Sequence, residues 1–294
     1  NDALTYTLRE PLGVVGAIIP WNFPLMIGMW KIAPALACGC TVVLKPAEIT
    51  PLSALKLGEL ALQAGFPAGV LNVIPGMGKT AGQALVDHAD VDKVTFTGSP
   101  AVGRHILRSA AGNLKRVTLE LGGKSANIIF PDADLDAAVR AASAGVFFNS
   151  GQVCSAGSRI LVHQDVYEQV VERLAARAKS IRMGDPRDAA TTMGPLVSSV
   201  QLQRVLDYIE IGRREGATVV TGGGRGSGAG YFVSPTVFSG VTPGMRIAQE
   251  EIFGPVAAVI SFKDDDDALK IANGTAYSLA AGVWSSDITR VHRF

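Results

Sequence analysis

Three cysteines in 294 residues, Cys38, Cys40 and Cys154, are too few for a disulfide framework, so a reducing, cytoplasmic setting is expected. Cys38-Gly39-Cys40 has no second pair and no nearby histidine, which argues against zinc and for small core residues. The four histidines, His88, His105, His163 and His292, show no ligand spacing, so no metal is expected. Charged residues are 18% of the chain and nearly cancel to +1, which gives no electrostatic case for nucleic acid or an anionic membrane. No apolar run reaches the roughly 18 residues of a membrane span, and no signal-peptide pattern opens the chain. The G-x-S-x-G elbow of a serine hydrolase is missing too. Asp264 to Asp267 is a rare charge run, and it reads as a solvated loop or helix start rather than a metal site. What remains is a globular profile, 48% hydrophobic, long enough for two domains with substantial cores.

Short, β-branched apolar runs recur along the first part of the chain: Val14 to Pro20, Thr41 to Lys45, Val70 to Ile74, Lys93 to Thr97 and Arg116 to Leu121. Each reads as a strand buried on both faces. Between them, Leu52 to Ala64, Ala81 to His88 and Gly103 to Ala111 carry helical spacing. This alternation predicts an α/β fold with a doubly wound parallel sheet, whose ligand site lies beyond the carboxyl ends of the strands. From Ser125 the pattern restarts, with strands at Ser125 to Phe130 and Arg159 to Val162. Helices are expected over Asp134 to Phe147, Val166 to Ser180 and Gln201 to Glu215. A first domain over 1–122 and a second over 123–294 follow. Gly222 to Gly230 could pass for a phosphate loop, but between two apolar runs it reads as a flexible strand connection.

The polar residues that break the pattern sit at strand ends. Asn22, in a turn between Pro20 and Pro24, can donate to an oxyanion or can satisfy its own turn. Lys45 and Glu48 read either as an exposed i,i+3 pair or as ribose contacts. Glu120, among Val117, Leu119 and Leu121, cannot be buried cheaply while charged, so it is expected to be paired with a cation or tuned for proton transfer. Gly76-Met77-Gly78-Lys79-Thr80 resembles the end of a nucleotide phosphate loop, yet Val73 stands where the first glycine belongs. An NTPase relying on Lys79 is therefore the alternative from another class. Cys154 follows a Gly-Gln turn and precedes small residues, a setting in which a substrate carbon and a backbone amide can both reach the sulfur. A buried structural cysteine is the other reading.

Together these motifs resemble the aldehyde dehydrogenase superfamily along essentially the whole chain. The resemblance is carried by the Pro20 to Pro24 turn, Lys45-Pro46-Ala47-Glu48, Phe96-Thr97-Gly98-Ser99, Leu119 to Lys124, Gly151-Gln152-Val153-Cys154 and Glu250 to Pro255. It implies a Rossmann-like NAD-binding domain followed by a catalytic α/β domain. It implies Cys154 as nucleophile, with Asn22 and the Cys154 N–H holding the oxyanion and Glu120 activating water. Lys45, counted with the catalytic set, and Glu48 look like adenosine-ribose contacts. Gly98 and Ser99 border the pyrophosphate at a helix N-terminus. Glu251 resembles the grip on the nicotinamide ribose, with Phe253 beside the ring. Ile19, Pro20, Trp21, Gly78, Lys79, Leu121 and Gly122 join the cofactor-binding set by the same resemblance. A carboxylate at Glu48 favours NAD, and Lys45 nearby leaves NADP open. Glu120 favours hydrolysis to a free acid over transfer to coenzyme A. Asn22, Met26 and Trp30 are spaced to share one side of a helix, and Met26 and Trp30 are expected to line an apolar tunnel with Phe148 and Val153, or else to be core. Family chains are longer at both ends and form homodimers or homotetramers, so a truncated chain is expected. A non-catalytic, NAD-binding member of the same fold is the alternative within the family.

Overall fold

The computed structural model describes residues 2–294. The chain divides into two compact units, one running to Leu121 and the other from Gly122 to Phe294.

In the first unit, β1 (Val14–Ile18), α1 (Pro24–Ala37), β2 (Thr41–Lys45), α2 (Leu52–Gln63), β3 (Leu71–Val73), α3 (Gln83–Asp87), β4 (Lys93–Gly98), α4 (Pro100–Ala110) and β5 (Arg116–Leu121) follow in order. All the strands pair in parallel, in the order β3-β2-β1-β4-β5. Period-two alternation sends Val15, Ala17, Val42 and Leu44 to one face, where Ile27 and Ile32 of α1 cover them. Ile18, Val94 and Phe96 pack on the other face against Leu85 of α3 and Ile106 of α4. Burying both faces explains why these strands read as unbroken apolar runs. Gly103 lets α4 close on β5, because a Cβ there would lie 2.7 Å from Cδ2 of Leu121.

The second unit holds β6 (Ala126–Ile129), α5 (Leu135–Phe147), β7 (Arg159–His163), α6 (Tyr167–Ser180), α7 (Ser199–Arg214), β8 (Thr218–Thr221), β9 (Thr236–Ser239), α8 (Arg246–Gln249), β10 (Val256–Phe262), α9 (Asp265–Asn273), β11 (Ala281–Trp284) and α10 (Ile288–Arg293). Its sheet runs β11-β6-β7-β10-β9-β8, parallel except for β8 against β9. Alternate residues of β6, β7 and β10 meet α5 and α6 on one face and α7, α8 and α9 on the other.

Several expectations change. Helix α4 begins at Pro100 rather than Gly103, because Ser99 caps it and Pro100 supplies a preset first turn. Residues 81–88 split into a π-helical turn at Gly78–Gly82 and the short α3. The apolar run after the Gly222 to Gly230 connection, Tyr231 to Val233, forms only a bridge, Arg225 to Val233, and the next strand is β9. Cys40 is core, but Cys38 is exposed at the carboxyl end of α1. Asp264 caps α9, with Asp265, Asp266 and Asp267 in its first turn, where carboxylates complement the helix dipole.

Candidate active site

In the first unit the strand order reverses between β1 and β4, and a cavity of about 850 Å³ opens at the strand ends there. Of the residues that the sequence assigned to a cofactor, Ile19, Pro20, Trp21, Lys45, Glu48, Gly78, Lys79 and Gly98 line it. Ser99 instead caps α4, its Oγ accepting from the Val102 N–H at 3.4 Å. Neither Asn22 nor Leu121 is among the lining residues.

Lys45 and Glu48 are not a surface pair. The Lys45 side chain is 3% exposed, and its Nζ donates to Glu48 Oε2 at 3.2 Å while Glu48 stays 41% exposed. Glu48's own backbone N–H, working against burial and joined by Lys45 and the Gly78 N–H, holds the carboxylate below its usual range. Nothing lies within 4 Å of a Cβ built on Gly78, so that turn leaves its backbone open to close approach. Thr97 also lines the cavity, and its buried Oγ1 has no hydrogen-bond partner among the described residues.

Glu120 does not meet the cost of burying a charge, because it is exposed. Strand β5 is at the sheet edge and alternates exposed and half-buried residues, and Glu120 is on the exposed side. A lysine charge that the sequence reading missed, Lys31, interacts with it electrostatically. Lys31 is buried on α1 and donates to Thr95 Oγ1 at 3.0 Å. Burial pushes its ammonium down to about 8, while the Glu120 charge pulls the other way. Met26 and Trp30 are not core, being 43% and 65% exposed. Helix α1 begins at Pro24, so Asn22 precedes it rather than sharing a helical face with them.

In the second unit three glycine-bearing segments converge on Cys154. After α5, Asn149, Ser150 and Gly151 are successively left-handed, with φ of 48°, 56° and 73°. A Cβ on Gly151 would fall 2.1 Å from Gly254, and one on Gly123 would fall 2.6 Å from the Cys154 carbonyl oxygen. Gln152 is buried and locks the turn: its Oε1 accepts from Val197 N–H at 2.9 Å and its Nε2 donates to Asn149 O at 3.1 Å. Cys154 is half-exposed, so it is not a buried structural cysteine. Val153 beside it is half-buried, and Phe148 is 64% exposed.

Glu251 lies along the glycine pair. Its Oε1 accepts from Gly123 N–H at 3.2 Å, and a Cβ on Gly122 would sit 2.2 Å from its Oε2. Burial raises its carboxyl, opposed by the Gly123 N–H and by the Arg204 and Lys124 charges. Phe253 has φ of 64°, strained for a bulky side chain. The turn is held from α7. Gln201 Nε2 donates to Phe253 O at 2.7 Å and Ile252 O at 3.3 Å. Arg204 donates to Ile252 O at 3.3 Å and Glu251 O at 2.5 Å. Tyr208 OH donates to Glu250 Oε2 at 2.6 Å, and Arg246 adds two bonds to the same carboxylate. The spacing 201, 204, 208 marks one helical face, and that was the available signal.

The fold and these sites define a two-unit α/β protein with a nucleotide-sized cavity in one unit and a glycine-framed, reachable cysteine in the other. The model of the aldehyde dehydrogenase family matches residues 1–294, and the chain belongs to that family. A putative aldehyde dehydrogenase, DhaS, of Bacillus subtilis is 56% identical over 287 residues, covering 98% of this chain and 58% of the relative. Aldehyde dehydrogenase, cytosolic 1, of Rattus norvegicus is 55% identical over 292 residues, 99% of this chain and 58% of its own length. The NAD+ complex structure of aldehyde dehydrogenase from Bacillus cereus matches with a TM-score of 0.95 at 54% identity, over 97% of this chain and 58% of that one. The chain thus spans under three fifths of the length of these relatives.

Proposed function

We propose that the protein oxidises an aldehyde to a carboxylic acid with NAD, using Cys154 as nucleophile. The observation that carries this reading is the family match over residues 1–294, joined to a half-exposed cysteine on a glycine-framed turn. The Cys154 sulfur attacks the aldehyde carbon, giving a thiohemiacetal whose oxyanion is met by the Cys154 N–H and the Asn22 amide. The chemistry that NAD supplies when bound is acceptance of the hydride from that carbon. Glu120 takes a proton from the water that attacks the resulting thioester, releasing the acid and the thiol.

The first unit's cavity fits the adenosine half of NAD. It has the volume of a ligand pocket, a Thr97 hydroxyl without a hydrogen-bond partner among the described residues, an open Gly78 backbone and the N-terminus of α4 at its rim. Lys45 and Glu48 hold the adenosine ribose, and the ionised Glu48 repels a 2′-phosphate, so NAD is preferred to NADP. Glu251, oriented by Gly123, takes the nicotinamide ribose, and Phe253 packs beside the ring. Met26, Trp30, Phe148 and Val153 supply apolar walls suited to an aliphatic or aromatic aldehyde. A homodimeric or homotetrameric assembly and a cytoplasmic setting complete the reading, the latter supported by the name of the rat relative.

Replacing Cys154 by Ala tests it. Reduced-nicotinamide formation with simple aldehydes should vanish while calorimetric NAD affinity stays unchanged. Continued turnover by the variant would remove Cys154 from the chemistry.

A further inference from the structure

The cavity of the first unit is walled mainly by Ile18, Val86, Phe96, Val102 and Ile106, surfaces suited to the faces of a flat ring. Away from Lys45 and Glu48, two polar side chains on its wall bond to each other: Gln83, which opens α3, and His105 of α4. His105 Nε2 lies 2.5 Å from Gln83 Oε1. The amide's orientation is settled by its other end, where Gln83 Nε2 donates to both Asp87 carboxylate oxygens at 2.9 and 2.8 Å. An amide whose NH₂ is spent on a carboxylate offers only its oxygen to the imidazole, so Nε2 of the neutral ring carries the proton. Nδ1 is then an acceptor, and no donor among the described residues is bonded to it.

On the cofactor reading above, the phosphates sit at the N-terminus of α4 and the ribose at Lys45 and Glu48. The base is then left to lie along the cavity-lining side of α4, over Val102 and toward His105. That residue is about two helical turns beyond the Ser99 cap. We propose that His105, oriented by Gln83 and Asp87, accepts a hydrogen bond from the exocyclic amino group of adenine and so selects a 6-aminopurine dinucleotide. A 6-oxopurine would set a carbonyl lone pair against the Nδ1 lone pair, losing a bond and leaving two acceptors facing each other.

The test is calorimetric binding of NAD and of nicotinamide hypoxanthine dinucleotide to the unmutated protein, His105→Phe and Gln83→Leu. The unmutated protein should prefer NAD about tenfold. His105→Phe keeps a flat ring without the acceptor, and should bind NAD roughly fivefold more weakly, leave the hypoxanthine analogue unchanged and abolish most of the preference. Gln83→Leu should erode the preference as well, because the imidazole is freed to turn its N–H into the cavity. Because His105 is exposed, melting temperatures should not move. Equal affinities for the two dinucleotides in the unmutated protein, or an undiminished preference in His105→Phe, would overturn the assignment. Failure of the unmutated protein to bind either dinucleotide would overturn the cofactor reading itself, and this assignment with it.

Discussion

Lys124 follows the glycine pair and buries its whole side chain, and its Nζ has no hydrogen-bond partner among the described residues. Burial pushes the ammonium down to about 7, with Arg159 adding to the effect and Glu251 and Glu250 opposing it. In the unfolded chain the ordinary value of 10.5 returns. Between these values the unfolded state binds more protons, so stability rises with pH across that window. The burial cost is present in full below about 7 and is relieved toward 10.5. Lys124→Met should therefore melt at a higher temperature than the unmutated protein near neutrality, with the gap closing as the pH approaches about 10. A gap that does not change with pH would show that the ammonium is solvated in the folded protein. Sequence alone did not reveal this residue, because a lysine between glycine and serine reads as surface. The partial exposure of Cys154 was legible, since its neighbours' small size is itself the requirement for access. The exposure of Glu120 was not legible, because edge position depends on pairing that sequence does not carry.

At the scale of elements, the parallel strands were readable because both faces of each sheet are covered, leaving apolar runs without polar interruption. The start of α4 was missed although its cap is written in Ser99-Pro100, since the apolar period only becomes visible a turn later. Strands β9, β10 and β11 went unassigned, yet β10 lies inside the second sheet and fixes where Glu251 and Phe253 emerge just before it. Helix α7 was expected over Gln201 to Glu215, but no role was assigned to its polar residues Gln201 and Arg204. They hold the backbone of the 251–253 turn against the strain at Phe253. Gln201→Ala should raise the KM for NAD about five- to tenfold, with a small change in melting temperature. An unchanged KM beside a large loss of stability would make Gln201 a structural residue only.

At the scale of the molecule, each unit closes its own core around its own sheet, and the border at Leu121 and Gly122 falls where a strand ends in glycines. Each unit holds part of the proposed chemistry: Asn22, Lys45, Glu48 and Glu120 in the first, Cys154, Glu251 and Phe253 in the second. The central claim is that oxidation passes through an acyl group on Cys154 and that Glu120 serves its hydrolysis. The most direct measurement is intact-protein and peptide mass spectrometry of Glu120→Gln, quenched after mixing with NAD and a simple aldehyde. An acyl mass on the peptide that carries Cys154, absent without NAD, is the predicted result. No adduct, or one on Cys38 or Cys40, would contradict it.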